Sequence, residues 1–279
     1  RGATGGRVGR KSYELSLREQ WIMEDKLLND HGTIEEIALI TSKVTDLLSI
    51  HPKNITSGLN LDILTSGAVV KAAYVSAAFV IRGVAADIMD IDPEELDICH
   101  LQLEDDKKVG KILISDYHPN GSGFTSWLKD NWKECLNAIR KPSGEDNFAD
   151  VLLSPKHGNK CKDACYECLK NFRNMAYHPL LDWRLGVSIV KVLADSNYVS
   201  GLDGKFDSPE LKGWLDHASI QRDSLCDSFS NLNPEPTQWG VLPGLDIGPF
   251  RLVLVHELWD VEDPLAGSVL MDAKNKAQA

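Results

Sequence analysis

The chain has 279 residues, 43% hydrophobic and 25% charged, a globular composition with enough material for one large domain or two smaller ones. Thirty Lys and Arg against 41 Asp and Glu leave a formal net charge of −11. That excludes nucleic-acid binding across the whole surface, so any such contact has to come from a local basic patch. The nearest approach to a membrane span, residues 68–89, is interrupted by Lys71, Arg82 and Asp87, so no membrane partner is expected. There is no signal-peptide pattern, and the start at Arg1 without a methionine is that expected of a piece of a longer protein.

Residues 1–12, RGATGGRVGRKS, come near a phosphate-binding loop, but Arg10 separates Gly9 from Lys11 and Ser12 and the spacing fails. They read as a flexible lead-in. Residues 13–29 place Leu17, Trp21, Leu27 and Leu28 at helical spacing, and 33–42 predict a second short helix capped by Thr33. A strand is expected over 43–50. Residues 66–89 are alanine-rich and apolar nearly all round, which predicts a helix buried in the middle of a domain. The stretch 87–106 carries nine carboxylates, but Glu94 and Glu95 sit in a DPEEL sequence that reads as the opening of a short helix rather than an acid–base pair.

Residues 96–103 and 109–116 predict a hairpin joined by EDDKK. The second strand runs into YHPNGSGF and then a helix over 125–140. A strand, a glycine-rich loop and a helix N-terminus are the usual setting for an anion, although the loop lacks the spacing of a dinucleotide fingerprint. Asp116 and His118 are the titratable residues at that strand end, and hydrolase or nuclease chemistry would begin with them. Residues 141–146 connect to a short helix over 148–153. Pro179 is expected to open a helix reaching about 194, and Pro209 another reaching about 221. Four prolines and three glycines make 231–249 a long loop, 250–258 is expected as a buried strand, and the tail from Asp260 as frayed. The HELWD sequence there resembles a zinc-protease motif only superficially. Asp260 replaces its second histidine, and a strand cannot supply the helical geometry required.

Between these elements lies KCKDACYECLKNFRNMAYHPLLDWR, residues 160–184. Cys161, Cys165 and Cys168 are spaced so that a tight turn aims their sulfurs at a common point. Soft thiolates with an imidazole favour zinc in a closed, structural site. The flanking Lys160, Lys162, Asp163, Glu167 and Lys170 are too polar for the cysteines to be simple core residues. His178 is taken as the fourth ligand, with Cys135 and His157 as open alternatives. Clustered thiols with zinc imply a reducing, cytoplasmic setting. Lys160, Lys162, Lys170 and Arg173 form the candidate nucleic-acid patch, with Tyr166, Phe172 and Tyr177 as stacking surfaces.

Three motifs, in order, resemble the MrfA-type zinc-binding (MZB) domain. They are SAAFVIRGVAADIMDIDPEEL at 76–96, KILISDYHPNGSGF at 111–124 and CYECLKNFRNMAYHPLLDWR at 165–184. The family pattern has paired glycines where Asn120-Gly121-Ser122-Gly123 stands, and four cysteines where three cluster here. The resemblance implies a non-catalytic accessory module of a DEAD/DEAH-box helicase, on the same chain or as a partner subunit, or of DISARM phage-defence systems. Such a module would be expected to contact DNA or RNA locally, with any ATPase lying elsewhere. The expected fold is mixed α/β: a central mixed sheet flanked by helices with the zinc knuckle 160–178 at one edge. The organisation is a lead-in over 1–42, an MZB-like domain over 43–195 and an extension over 196–279 that matches no motif. The bland alternative is a purely structural protein-interaction scaffold.

Overall fold

Gly67–Met89 forms one helix (α1) in the computed structural model, which describes residues 43–279 except 100, 105–106, 142–143, 145–146 and 279. The chain divides between Val44 and Thr45 into two units; α1 belongs to the second, Thr45–Ala279, as do the sheets and helices that follow. The helices expected over 13–29 and 33–42 lie outside the described residues. The apolar surface of α1 is continuous because both of its sides are covered. Val70, Ala73, Tyr74, Ala77 and Val80 are wholly enclosed, and the helix's most apolar window is 67% buried inside the protein. It is long and apolar enough to cross a membrane, but here it is the core.

One side of α1 meets a sheet of four antiparallel strands: β1 (Leu47–Ile50), β2 (Leu96–Ile98), β3 (Gln102–Glu104) and β4 (Lys107–Asp116). The ten-residue β4 is central. β1 pairs along one edge, with Ile50 opposite Ile112, while β2 and β3 share the other, with Leu96 opposite Asp116 and Gln102 opposite Lys111. Ile112 and Ile114 face the core with Leu96, and a Cβ on Gly110 would fall 2.8 Å from the ring of Tyr74. The helix can therefore approach the sheet only where β4 carries no side chain. Where one strand is expected over 96–103 there are two, β2 and β3, each paired with β4.

The helices that follow are α2 (Phe124–Asp130), α3 (Trp132–Arg140), α4 (Phe148–Leu153), α5 (Pro155–Lys160) and α6 (Trp183–Ala194); α3, α4 and α6 cover the other side of α1, while α2 packs on β1 and β4 and α5 on α4. The single helix expected over 125–140 breaks at Asn131, whose side-chain amide donates to the Trp127 carbonyl at 2.9 Å. α6 begins at Trp183 and not at Pro179, which belongs to a preceding 3-10 stretch, Phe172–Leu180. Asp182 sets the start, because its Oδ1 accepts from the backbone N–H groups of Arg184 and Leu185 at 2.8 and 3.1 Å. α6 lies so close to α1 that a Cβ on Gly186 would meet the Ser76 carbonyl carbon at 2.9 Å.

The C-terminal part departs most from expectation. A helix α7 (Trp214–Ser228) starts five residues after Pro209, and the supposed loop 231–249 folds as a β-hairpin. β5 (Glu235–Trp239) and β6 (Leu242–Ile247) pair, and β7 (Phe250–Val253) adds a third antiparallel strand. Leu242 and Leu245 are enclosed while Phe250 is 68% exposed, so the buried strand is β6 and β7 is an exposed edge. The tail is ordered too, as α8 (Val269–Gln278), with Leu270 and Ala273 buried. The mixed α/β class stands, with its strands divided between two antiparallel sheets instead of one central mixed sheet.

The α1–α6 crossing gives a direct test. Gly186→Ala overpacks a backbone contact and is expected to cost about 1–3 kcal/mol, read as a lower urea midpoint. Gly158→Ala, where the nearest atoms to a new Cβ lie 3.8 Å away, is expected to leave the midpoint unchanged.

Candidate metal centre

The site is built by the end of one short helix and the turn that follows it. Ser154 caps α5 by accepting from the His157 N–H at 3.1 Å, and Pro155 occupies the first helical position. This fixes His157 in the first turn, where its ring is 3% exposed and packs against Trp183. His157 Nδ1 lies 2.8 Å from the Leu152 carbonyl, which can only accept, so Nδ1 carries the proton. Nε2 then turns a lone pair toward Cys165 Sγ, 3.5 Å away. A metal-binding imidazole is commonly oriented by such a hydrogen bond from its other nitrogen.

Cys161 caps the C-terminal end of α5, its N–H donating to the His157 carbonyl at 2.8 Å. The next turn is closed at Cys165: its carbonyl accepts from Lys170 N at 3.0 Å, and its N–H donates to Cys168 Sγ at 3.1 Å. The Sγ atoms of Cys161 and Cys168 lie 3.9 Å apart, those of Cys165 and Cys168 3.6 Å apart. With His157, all four candidate ligand atoms fall within 4.8 Å of one another. A tetrahedral zinc with bonds of about 2.3 Å to sulfur and 2.0 Å to nitrogen puts sulfurs about 3.8 Å apart and sulfur about 3.5 Å from nitrogen. The residues therefore fit zinc. The sulfurs are much too far apart for disulfides, and all are free.

Burial, reinforced by the neighbouring sulfurs, pushes the Cys161 thiol far up, and burial likewise raises Cys168 to about 11. Without a cation these groups hold their protons at neutral pH; bound zinc would hold them as thiolates. The start of α6 secures the assembly. Trp183 Nε1 donates to the Cys161 carbonyl at 3.2 Å, while Arg184 donates to the carbonyls of Gly158, Cys161 and Lys162 at 2.8 to 3.0 Å. The guanidinium thus takes up acceptors left open at the C-terminal end of α5.

The three cysteines meet as their spacing predicts, but His157, not His178, stands with them. His178 Nε2 lies 3.0 Å from the Asn171 carbonyl and 2.9 Å from Asn174 Oδ1. The carbonyl can only accept, so that nitrogen is protonated. Its role is to pin the 3-10 stretch with the reciprocal Asn171–Asn174 capping bonds, 2.8 Å each. Cys135 is a core thiol of α3. His157, left in the sequence as an alternative to His178, was signalled by Ser154-Pro155, a helix start that puts it one turn before Cys161.

The four basic residues do not converge. Lys160 and Lys162 line one cleft with Asp163 and Asp182, Lys170 lines another with Glu167, and Arg173 is ion-paired with Glu94. The loop after β4 is occupied by the chain itself. Asp116 is fully buried, with Oδ2 accepting from the N–H groups of Ser122 and Gly123 at 2.6 and 2.7 Å and Oδ1 from Thr125 at 2.9 Å. Burial alone would raise its pKa, but these donors outweigh it and hold the carboxyl below the usual range. His118 is exposed and lies 3.3 Å from Glu95.

A closed three-cysteine, one-histidine centre set into the core of a mixed α/β unit defines a structural zinc-binding module. Residues 77–169 match the family model described as MrfA Zn-binding domain, and that matched span contains all four candidate ligands. No curated protein and no solved structure matches the chain.

The expected metal content is one zinc per chain by elemental analysis, lost in Cys168→Ser and His157→Ala and kept in His178→Ala. Because burial keeps the Cys161 and Cys168 thiols protonated, loading is expected to release protons into a weakly buffered solution, and affinity to fall as pH falls. Asp116→Asn is expected to cost about 2–4 kcal/mol near neutral pH. A depressed carboxyl pKa contributes stability above the unfolded value and loses it as pH falls through the folded one, so the gap between variant and parent melting curves should close in acid.

Proposed function

We propose that this chain is a non-catalytic, zinc-stabilised accessory module that docks a DEAD/DEAH-box helicase motor and supports its hold on nucleic acid, with bacterial anti-phage defence in the cytoplasm as its setting. The observation that carries this is the centre itself. Four protein ligands leave no open coordination position, so bound metal would hold shape and not activate water. The shape it holds presents exposed Tyr166, Phe172 and Met175 beside the knuckle, at 70%, 79% and 52% exposure. Aromatic and methionine side chains displayed together are characteristic of interfaces. The family match and the order of its motifs favour a helicase as the partner, and ATP hydrolysis belongs to the motor. Lys160 and Lys162, both exposed on the knuckle, are the cations assigned to backbone phosphates.

The dispersal of the four basic residues favours a second reading, a scaffold that binds protein alone. The loop at Asp116 and His118 has no part in either, because Asp116 is taken up by its own backbone donors.

Co-expression with tagged helicase motors of the source organism separates the two. The parent chain should co-purify with one of them and Cys168→Ser should not. In that complex, Lys160→Glu with Lys162→Glu should weaken salt-sensitive binding of single-stranded DNA about tenfold at unchanged zinc content. A motor complex indifferent to the lysines leaves the scaffold, and no motor complex at all overturns the docking role.

A further inference from the structure

Arg82 lies on α1 and is the one ionised group of that helix drawn toward the interior. Its guanidinium stacks on the Phe79 ring, with Cζ 4.7 Å from the centroid, and is shielded enough that burial lowers its pKa. Among the described residues it makes no hydrogen bond and no ion pair. Glu94, Asp97 and Asp92 act on it through space only. A guanidinium has five N–H donors in a rigid plane, and those of Arg82, half-buried and without a protein acceptor among the described residues, are left to water or to a ligand. Stacking on Phe79 covers a face of that plane and leaves its edge, the part that grips an oxyanion in bidentate fashion, open to a ligand.

The edge opens onto two neighbouring clefts that share Phe79, Arg82 and Asn171 as a common wall. The larger, about 390 Å³, runs between α1 and the zinc knuckle and is lined by Phe148, Tyr166 and Leu169. The smaller, about 140 Å³, is lined by Tyr117, Arg173 and Tyr177. Charge decides what can enter. The larger cleft carries Asp87, Asp90 and Glu167 against Lys170, and the smaller carries Glu94 and Asp97 against Arg173, which Glu94 already holds. A chain of phosphates would meet this acidic rim unfavourably. A peptide that offers one carboxylate to Arg82 and a basic side chain to the rim would be matched at both ends. The exposed ring of Tyr166 supplies apolar contact at the mouth.

We propose that Arg82 anchors a peptide-docking site. Its guanidinium takes the carboxylate of an Asp or Glu in a partner protein, while a neighbouring Lys or Arg of that partner lies against Asp87, Asp90 and Glu167. This rests on the docking role proposed above and names the chemistry the partner must present. Cys168 and Leu169 form part of the larger cleft's wall, so a metal held by Cys168 would bear on the shape of the cleft.

Selection of a display library of short random peptides on the zinc-loaded chain tests it. Enriched peptides should pair an acidic residue with a nearby basic one, and their affinity should fall at least about tenfold on Arg82→Gln, with Arg82→Lys failing to restore it. Zinc content and melting temperature of both variants report that the fold is kept. Peptides without an acidic preference, peptides held equally by Arg82→Gln, or an empty selection would overturn the proposal. So would a single-stranded oligonucleotide whose binding depends on Arg82. If a helicase motor binds parent and Arg82→Gln alike, only the Arg82 assignment fails. If no motor binds, the docking role fails, and the peptide selection still judges Arg82.

Discussion

The structure around the metal centre depends on a single hydroxyl. Ser76, enclosed in the middle of α1, donates from Oγ to the Leu180 carbonyl at 3.2 Å and accepts from the Asp182 N–H at 2.8 Å. The core helix thereby holds the two residues that bracket the entry into α6. Asp182 can then cap the helix, and Gly186 lets it settle against Ser76 without a side chain between them. Buried polar groups are costly unless paired, so a satisfied hydroxyl in this position specifies one register of α6 on α1 and disfavours its neighbours.

From that register the rest of the site follows. Trp183 and Arg184 are the first two residues of α6, and both reach carbonyls of the segment Gly158–Lys162. The knuckle is thus held from outside by a helix that is held from inside by the core. Its own turn supplies few apolar contacts beyond Cys161 and Leu169, and clustered thiols resist ionisation. A metal held by His157, Cys161, Cys165 and Cys168 would close this gap. Structural zinc contributes on the order of 10 kcal/mol or more in small zinc modules, far above what a short polar turn can gather from burial.

Much of this was legible in the residues. The 67–89 helix announced itself because apolar residues on every face can mean only burial, and the cysteine spacing pointed to a shared ion. What escaped was set by tertiary context. Proline and glycine in 231–249 suggested a loop, yet Pro236 falls on the edge strand β5 and Pro243 is the second residue of β6, where the missing N–H is tolerated. Phe250–Val253 is apolar enough to be read as interior, but position within the sheet leaves it at an edge. The choice between His157 and His178 turned on which ring the fold carries to the sulfurs, and that is set by where α5 starts and how Trp183 packs, which no spacing of cysteines encodes.

The loop after β4 has a wider consequence. Loops of this shape are generally ordered by the anion they receive, and the ordering entropy is charged against binding. Here the anion is Asp116, supplied from within the chain and gripped by the same backbone donors a phosphate would use. The loop is its own ligand. Its donors are already taken, so the shape at the sheet's end is set by the chain's own carboxylate before any partner arrives.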